Sequence, residues 1–202
     1  MSRINIAIDG PAGAGKSTIA KAIAQKLGII YLDTGAMYRA MALKVLRMGL
    51  NPADEDDVRK VIDHTDIQIR YNKGMQRVIL DEEDVSDIIR TPEVSKGASD
   101  IGTISIVRKK LVELQQAIAK NNDVIIDGRD IGSHVLPLSN NKFYVTASAE
   151  ERAKRRYMEL LQKNPDMSQT VGEIQAEIEA RDKTDSTRKF APLTCLPDAT
   201  YI

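Results

Sequence analysis

Gly10-Pro11-Ala12-Gly13-Ala14-Gly15-Lys16-Ser17 matches the phosphate-binding P-loop pattern G-x-x-x-x-G-K-[ST] at every fixed position. The glycines let the backbone wrap around phosphate oxygens with its N–H groups pointing inward. Lys16 is suited to the β- and γ-phosphates, and Ser17 can offer its hydroxyl to Mg²⁺. The flanks fit the same motif. Ile4 to Asp9 alternates as a strand, and Ser17 to Leu27 carries Ile19, Ile23 and Leu27 on one helical face. A helix starting at the loop adds its dipole to the anion site. A glycine-rich turn with no ligand would leave the Lys-Ser pair without a purpose. The stretch therefore predicts a nucleoside triphosphate site.

Outward from the loop, the chain alternates between α and β patterns. Ile29 to Leu32 reads as a short strand closing at Asp33, and Gly35 to Met48 as a helix with Met37, Met41 and Val45 in register. Asn51-Pro52 opens a short acidic helix over 54–64. The period then changes. Asp66 to Tyr71 alternates, Asn72-Lys73-Gly74 is a turn, and Arg77 to Leu80 is a second strand, which predicts a small antiparallel insertion over about 66–86. Pro92 restarts helix, and Val107, Leu111, Leu114 and Ile118 mark the core face of a longer one. Asp123 to Asp127 and Lys142 to Val145 read as strands. Helices follow at 149–163, behind the capping box Ser148-x-x-Glu151, and at 168–183.

With 202 residues, 42% of them hydrophobic, the chain can bury one full core. The 29 basic and 29 acidic residues cancel, so no global field favours nucleic acid. One cysteine, Cys195, excludes an internal disulfide and suits a reducing compartment. The two histidines, His64 and His134, have no metal-ligand spacing and are expected on the surface or in loops. The sequence opens directly on the strand and P-loop, with no apolar run long enough to span a membrane; a cytoplasmic location is expected.

Val124 to Asp127 is an apolar strand ending in a carboxylate, as in a Walker B element that orients Mg²⁺ directly or through water. A strand ending in Asp-Gly also suits a plain turn. Arg129 and Asp130 follow at the carboxyl edge of the sheet, where open α/β folds bind ligands, although the two could simply pair with each other. Arginines recur at strand ends and helix faces: Arg39, Arg90 and Arg108, then Arg152, Arg155 and Arg156 at i, i+3 and i+4, then Arg181 and Arg188 around Asp185. Guanidinium groups grip phosphates bidentately, so the spread suits an enzyme with two phosphorylated substrates. The run at 152–156 could also be a solvated face or an RNA-binding patch.

Taken together, Asp9 to Ser17, Asp33-Thr-Gly-Ala-Met-Tyr-Arg39, Asp127-Gly-Arg-Asp130 and Arg181-Asp-x-x-Asp185-x-x-Arg188 resemble the bacterial cytidylate kinases, in order and over nearly the whole chain. The resemblance implies an α/β nucleoside monophosphate kinase fold: a five-stranded parallel sheet flanked by helices, an antiparallel NMP-binding insertion and an Arg-rich helical lid over about 149–183. The core would comprise about 1–65, 87–148 and 184–202 of a single P-loop domain. It implies transfer of the ATP γ-phosphoryl group to CMP or dCMP by a monomer that needs Mg²⁺ and neither nucleic acid nor membrane. The ATP site would be Gly10, Pro11, Ala12, Gly13, Ala14, Gly15, Lys16, Ser17 and Thr18 with Arg155, and the metal site Ser17 and Asp127. The acceptor site would be Thr34, Tyr38, Arg39, Ser99, Arg108, Arg129, Asp130, Arg181 and Asp185. Lys16, Arg39, Arg129 and Arg188 would neutralise the transferring phosphoryl group. Thr34 stands where some relatives carry Ser, which keeps the hydroxyl. The family also continues past the last core strand into a terminal helix, whereas this sequence stops at Thr200-Tyr201-Ile202.

Two other classes share the loop. Shikimate- or gluconate-type kinases have it without the antiparallel insertion. A GTPase switch would add an Asn/Thr-Lys-x-Asp guanine-reading motif, which this sequence lacks.

Overall fold

A computed structural model describes residues 3–202. The central sheet is parallel and runs β2-β6-β1-β7-β8, with β1 at Asn5–Asp9, β2 at Ile30–Asp33, β6 at Val124–Gly128, β7 at Asn141–Tyr144 and β8 at Thr200–Tyr201. A strand paired on both edges and covered on both faces can be apolar throughout. Ala7 and Ile8 of β1 and Val124, Ile125 and Ile126 of β6 are accordingly buried. Because side chains alternate across a strand, the sheet feeds two cores. Ile6, Ile8, Tyr31 and Ile125 pack on one side with Ala20 and Ala24 of α1 (Lys16–Leu27). Ala7, Leu32, Val124 and Ile126 pack on the other with α2 (Thr34–Arg47) and α5 (Ser105–Asn121).

The expected antiparallel insertion is present and holds one strand more than the sequence suggested. β3 (Ile67–Asn72) pairs with β4 (Met75–Leu80) across Lys73-Gly74, and β4 pairs with β5 (Glu83–Asp84) across Asp81-Glu82. All four turn residues have positive φ, as a two-residue hairpin with primed geometry requires. Gly74 announces the first turn; Asp81 and Glu82 do not announce the second. The insertion is flanked by α3 (Glu55–Ile62) and by α4 (Pro92–Ile101), where Pro92 follows the Thr91 cap.

After β7, α6 (Ala149–Lys163) begins at its capping box as expected. The next helix, α7, runs over Val171–Thr187 rather than 168–183. Its start is fixed by a second capping box, Thr170 with Glu173, and its longer end brings Asp185 inside the helix. The segment after Asp130, for which the sequence predicts no element, forms a π-helical turn over Ile131–Val135. Both carboxylate oxygens of Asp9 accept there, from the N–H groups of Ile131 and Gly132, each at 2.8 Å. The carboxyl ends of β1, β2, β6 and β7 thus open on one edge of the sheet, where the P-loop, Asp33, Asp127–Asp130 and the start of α6 meet.

Candidate active site

The P-loop leaves β1 at Gly10, whose φ is +144°. A Cβ there would stand 1.9 Å from the Val145 carbonyl oxygen, so only glycine fits. Gly13 and Gly15 also have positive φ, and Gly15 caps α1 with no side chain, which leaves the first N–H groups of the helix without a capping acceptor. Lys16 is buried and its Nζ donates to the Pro11 carbonyl at 2.6 Å. Burial, reinforced by the Arg129 charge, holds the Lys16 ammonium well below its ordinary pKa against the pull of Asp127 and Asp9. A cation so placed is ready for an anion that adds the missing negative charge.

Beside the loop, Ser17 Oγ donates to Asp127 Oδ2 at 2.7 Å and Tyr31 OH donates to Asp127 Oδ1 at 2.8 Å. Thr34 Oγ1 donates to the Asp127 carbonyl at 2.8 Å. Burial pushes the Asp127 pKa up, and the nearby Asp33 charge adds to that rise. Two neighbouring carboxylates and a serine hydroxyl make a hard-oxygen corner.

Across from the loop, Asp33 caps α2 by accepting from Ala36 N at 3.0 Å. Its other oxygen pairs with Arg39 at 3.0 Å and lies 3.7 Å from Arg90. Gln76 of β4 clasps the same residue, accepting from Asp33 N at 2.7 Å and donating to Asp33 O at 3.2 Å. The antiparallel insertion is thereby pinned to the start of α2.

Deeper in lies a chain of alternating charges. Arg108 of α5 meets Asp130 at 2.6 Å, Asp130 meets Arg188 at 3.3 Å, Arg188 meets Asp185 at 3.5 Å, and Asp185 meets Arg129 at 2.7 Å. The bland alternative of an Arg129–Asp130 pair is thus not what forms. The Tyr38 ring lies 5.6 Å from the Arg108 guanidinium carbon, and burial pushes the Tyr38 pKa up to about 12. Desolvation would raise the Asp185 carboxyl, but Arg129, Arg181 and Arg188 outweigh it and hold its pKa low. Arg108 Nη2 and Asp130 Oδ2 are close enough to neutralise each other yet out of hydrogen-bond alignment, so both atoms and Arg108 Nε are buried without a hydrogen-bond partner. Arg39 Nε is in the same condition. Buried orphan donors and acceptors are costly, and here they gather where a polar ligand would satisfy them.

The remaining expected residues stand apart. Ser99 is half-buried on α4, and among the described residues its side chain has no hydrogen bond. Arg155 is exposed on α6 with no ion pair among the described residues; Arg181, exposed on α7, forms none either but borders the site, near enough to Asp185 for its charge to lower the pKa of that carboxyl. The arginine face at 152, 155 and 156 does not behave as one: Arg152 is buried against the P-loop, while Arg156 is exposed beside Glu159. Among the described residues no cluster of three or more His, Cys, Asp or Glu forms a metal cage, so any ion here would rest on few protein ligands. Tyr31 and Gln76 carry no site signal in the sequence, whereas Asp9 appears there only at the head of the P-loop segment and Arg152 only as one of the arginines at 152–156.

The family model for cytidylate kinase matches residues 6–202. A cytidylate kinase of Caldicellulosiruptor bescii is 54% identical over all 202 residues, covering 88% of that protein. One from Caldicellulosiruptor saccharolyticus is 52% identical over the same span, again 88% of its length. Among solved structures, a shikimate kinase from Bacteroides thetaiotaomicron aligns with 100% of this chain and 86% of its own at a TM-score of 0.46 and 14% identity.

Proposed function

The chain belongs to the cytidylate kinase family, and we propose how its own residues divide the work of moving the γ-phosphoryl group of ATP onto CMP or dCMP. It is an ATP-dependent nucleoside monophosphate kinase of pyrimidine metabolism. In this reaction a phosphate oxygen of the acceptor forms a bond to the γ-phosphorus as the bond to the β-bridging oxygen breaks, giving CDP or dCDP and ADP. The acceptor oxygen is already ionised near neutral pH, so positioning and charge neutralisation carry the rate, and no general base is required.

The P-loop, residues 10–18, holds the ATP phosphates through Lys16 and its free N–H groups, Pro11 having none, with Arg155 closing from α6. Arg39 and Arg129 hold the acceptor phosphate; Asp33 and Asp185, which pair with them in the free protein, mark the positions an incoming anion would compete for. Arg188 faces the transferring group. Asp130 accepts from the cytosine amino group while Arg108 donates to the ring acceptors, with Ser99 alongside; Tyr38 and Thr34 line the same pocket, and Arg181 and Asp185 serve the ribose. The observation that carries this assignment is the buried Arg108–Asp130 pair with its unmatched hydrogen-bonding atoms.

Mg²⁺ suits the oxygen donors of Ser17 and Asp127. When bound, it supplies charge neutralisation at the donor phosphates. Ser17, held by Asp127, and Asp127, held by Tyr31, would keep that corner oriented. We read the enzyme as a cytoplasmic monomer that needs no nucleic acid; among the described residues no helix is long and apolar enough to cross a membrane. ADP release with CMP, dCMP, UMP, AMP and shikimate as acceptors tests the whole assignment. CMP and dCMP are expected to lead, and a preference for AMP or shikimate would overturn the base pocket.

A further inference from the structure

Arg152 occupies a position where the sequence suggested a lid cation, yet its side chain is only 5% exposed. Its guanidinium commits four of its N–H groups. Nε donates to the Ala147 carbonyl at 2.9 Å, and Nη1 to the Ala12 carbonyl at 3.1 Å and to Asp182 Oδ1 at 3.2 Å. Nη2 donates to Asp182 Oδ2 at 2.6 Å. The stem packs under the loop, since a Cβ on Gly13 would lie 3.4 Å from the Arg152 Cβ. One side chain therefore touches the P-loop, the segment before α6, and α7.

Those are the two halves of the site. Ala12 lies within the donor loop. Asp182 sits on α7 between Arg181 and Asp185, and Asp185 holds Arg129 at 2.7 Å. A buried ion pair adds little net stability over apolar residues of the same size, so stability alone does not account for the charge. Geometry does: a planar fork can satisfy two carbonyls and a carboxylate together, which a lysine ammonium at one point cannot.

We propose that Arg152 is a positioning residue that keeps the P-loop and α7 in register, so that filling the donor site and filling the acceptor site favour each other. This rests on the reading that the loop takes ATP and that α7 side chains face CMP. Without the register each nucleotide keeps its own contacts, but neither pre-orders the other's site.

The test is calorimetric binding of CMP with and without a non-hydrolysable ATP analogue and Mg²⁺, in the wild type, in Arg152→Lys and in Arg152→Met/Asp182→Asn. The double variant removes both charges and keeps an apolar stem under Gly13, which guards against misfolding. In the wild type the analogue is expected to tighten CMP by about fivefold or more. In both variants the gain should shrink below about twofold, while each nucleotide alone binds within about threefold of wild type and the thermal midpoint is retained. A merely structural role would lower the midpoint and weaken both ligands but leave the gain intact. Unchanged coupling in a folded variant, or none in the wild type, overturns the proposal. A wild type that binds neither nucleotide would instead overturn the kinase reading beneath it.

Discussion

Ser17 and Asp127, 110 residues apart in the chain, are joined by a 2.7 Å hydrogen bond at the carboxyl edge of the sheet. The bond exists because β1 and β6 pair in parallel, with Asp9 opposite Gly128, so that the P-loop and the end of β6 emerge side by side. A hydroxyl and a carboxylate in that position are suited to share one hard cation.

Asp127→Asn tests that sharing. The amide keeps an acceptor for Ser17 or Tyr31 but loses the charge, so the fold is expected to survive. The Mg²⁺ concentration for half-maximal activity should rise by about 10-fold or more, the usual cost of weakening one ligand or its support. A magnesium titration of initial rate reads it, and an unchanged midpoint would remove Asp127 from the metal corner.

Asp130→Asn probes the base pocket proposed around Asp130 and Arg108. Cytosine offers an amino donor where uracil has an acceptor, so exchanging a carboxylate for an amide turns part of an acceptor into a donor. The CMP-to-UMP ratio of kcat/KM is expected to narrow by about 10-fold or more, matching about 1–3 kcal/mol for an oriented buried hydrogen bond. Equal losses on both substrates would mean that Asp130 serves only to hold Arg108 and Arg188.

Asp9 gives the folded protein a specific pH signature. Burial pushes its carboxyl up to about 6 from 3.8, with the Asp130 charge adding, against the N–H groups of Gly132 and Ile131 and the Lys16 charge. The folded value lies above the unfolded one, so folding takes up a proton between them. The stability from this group is fully present below about pH 4 and is lost as pH rises through about 6, a change of about 3 kcal/mol at most. Urea unfolding of wild type and Asp9→Asn across pH 4–7 should show the difference between them growing in favour of wild type as pH falls. A flat difference would contradict the assignment.

Two glycines of the P-loop should respond differently to alanine. At Gly10 the new methyl would meet the Val145 carbonyl oxygen at 1.9 Å, a backbone atom that cannot turn aside. At Gly15 the space is open, and only the positive φ of 95° resists. Gly15→Ala is therefore expected to cost about 1–2 kcal/mol and Gly10→Ala more than about 4 kcal/mol. Thermal melts rank the two; the reverse order would show that the loop relaxes away from β7.

The parts of the fold legible in sequence were those with a local cause. Apolar runs marked the central strands, Ser148 and Glu151 marked the start of α6, and Asn72 to Gly74 marked the first hairpin. The second hairpin escaped because Asp81 and Glu82 adopt positive φ without glycine. The π-helical turn escaped because its first N–H groups are held by Asp9, 122 and 123 residues away.

The same division runs through the site. By itself the sequence determined the P-loop, the acidic strand end at Asp127 and the set of arginines, because glycine geometry, strand burial and guanidinium chemistry are properties of residue type and short spacing. Only the tertiary structure decided which arginine meets which carboxylate. It sent Arg129 to Asp185 and Arg108 to Asp130, clasped Asp33 with Gln76, and buried Arg152 between Ala12 and Asp182 while leaving Arg155 exposed. A guanidinium pairs with whatever carboxylate lies within a few ångströms, and that distance is set by the packing of sheet and helices, which no spacing along the chain records.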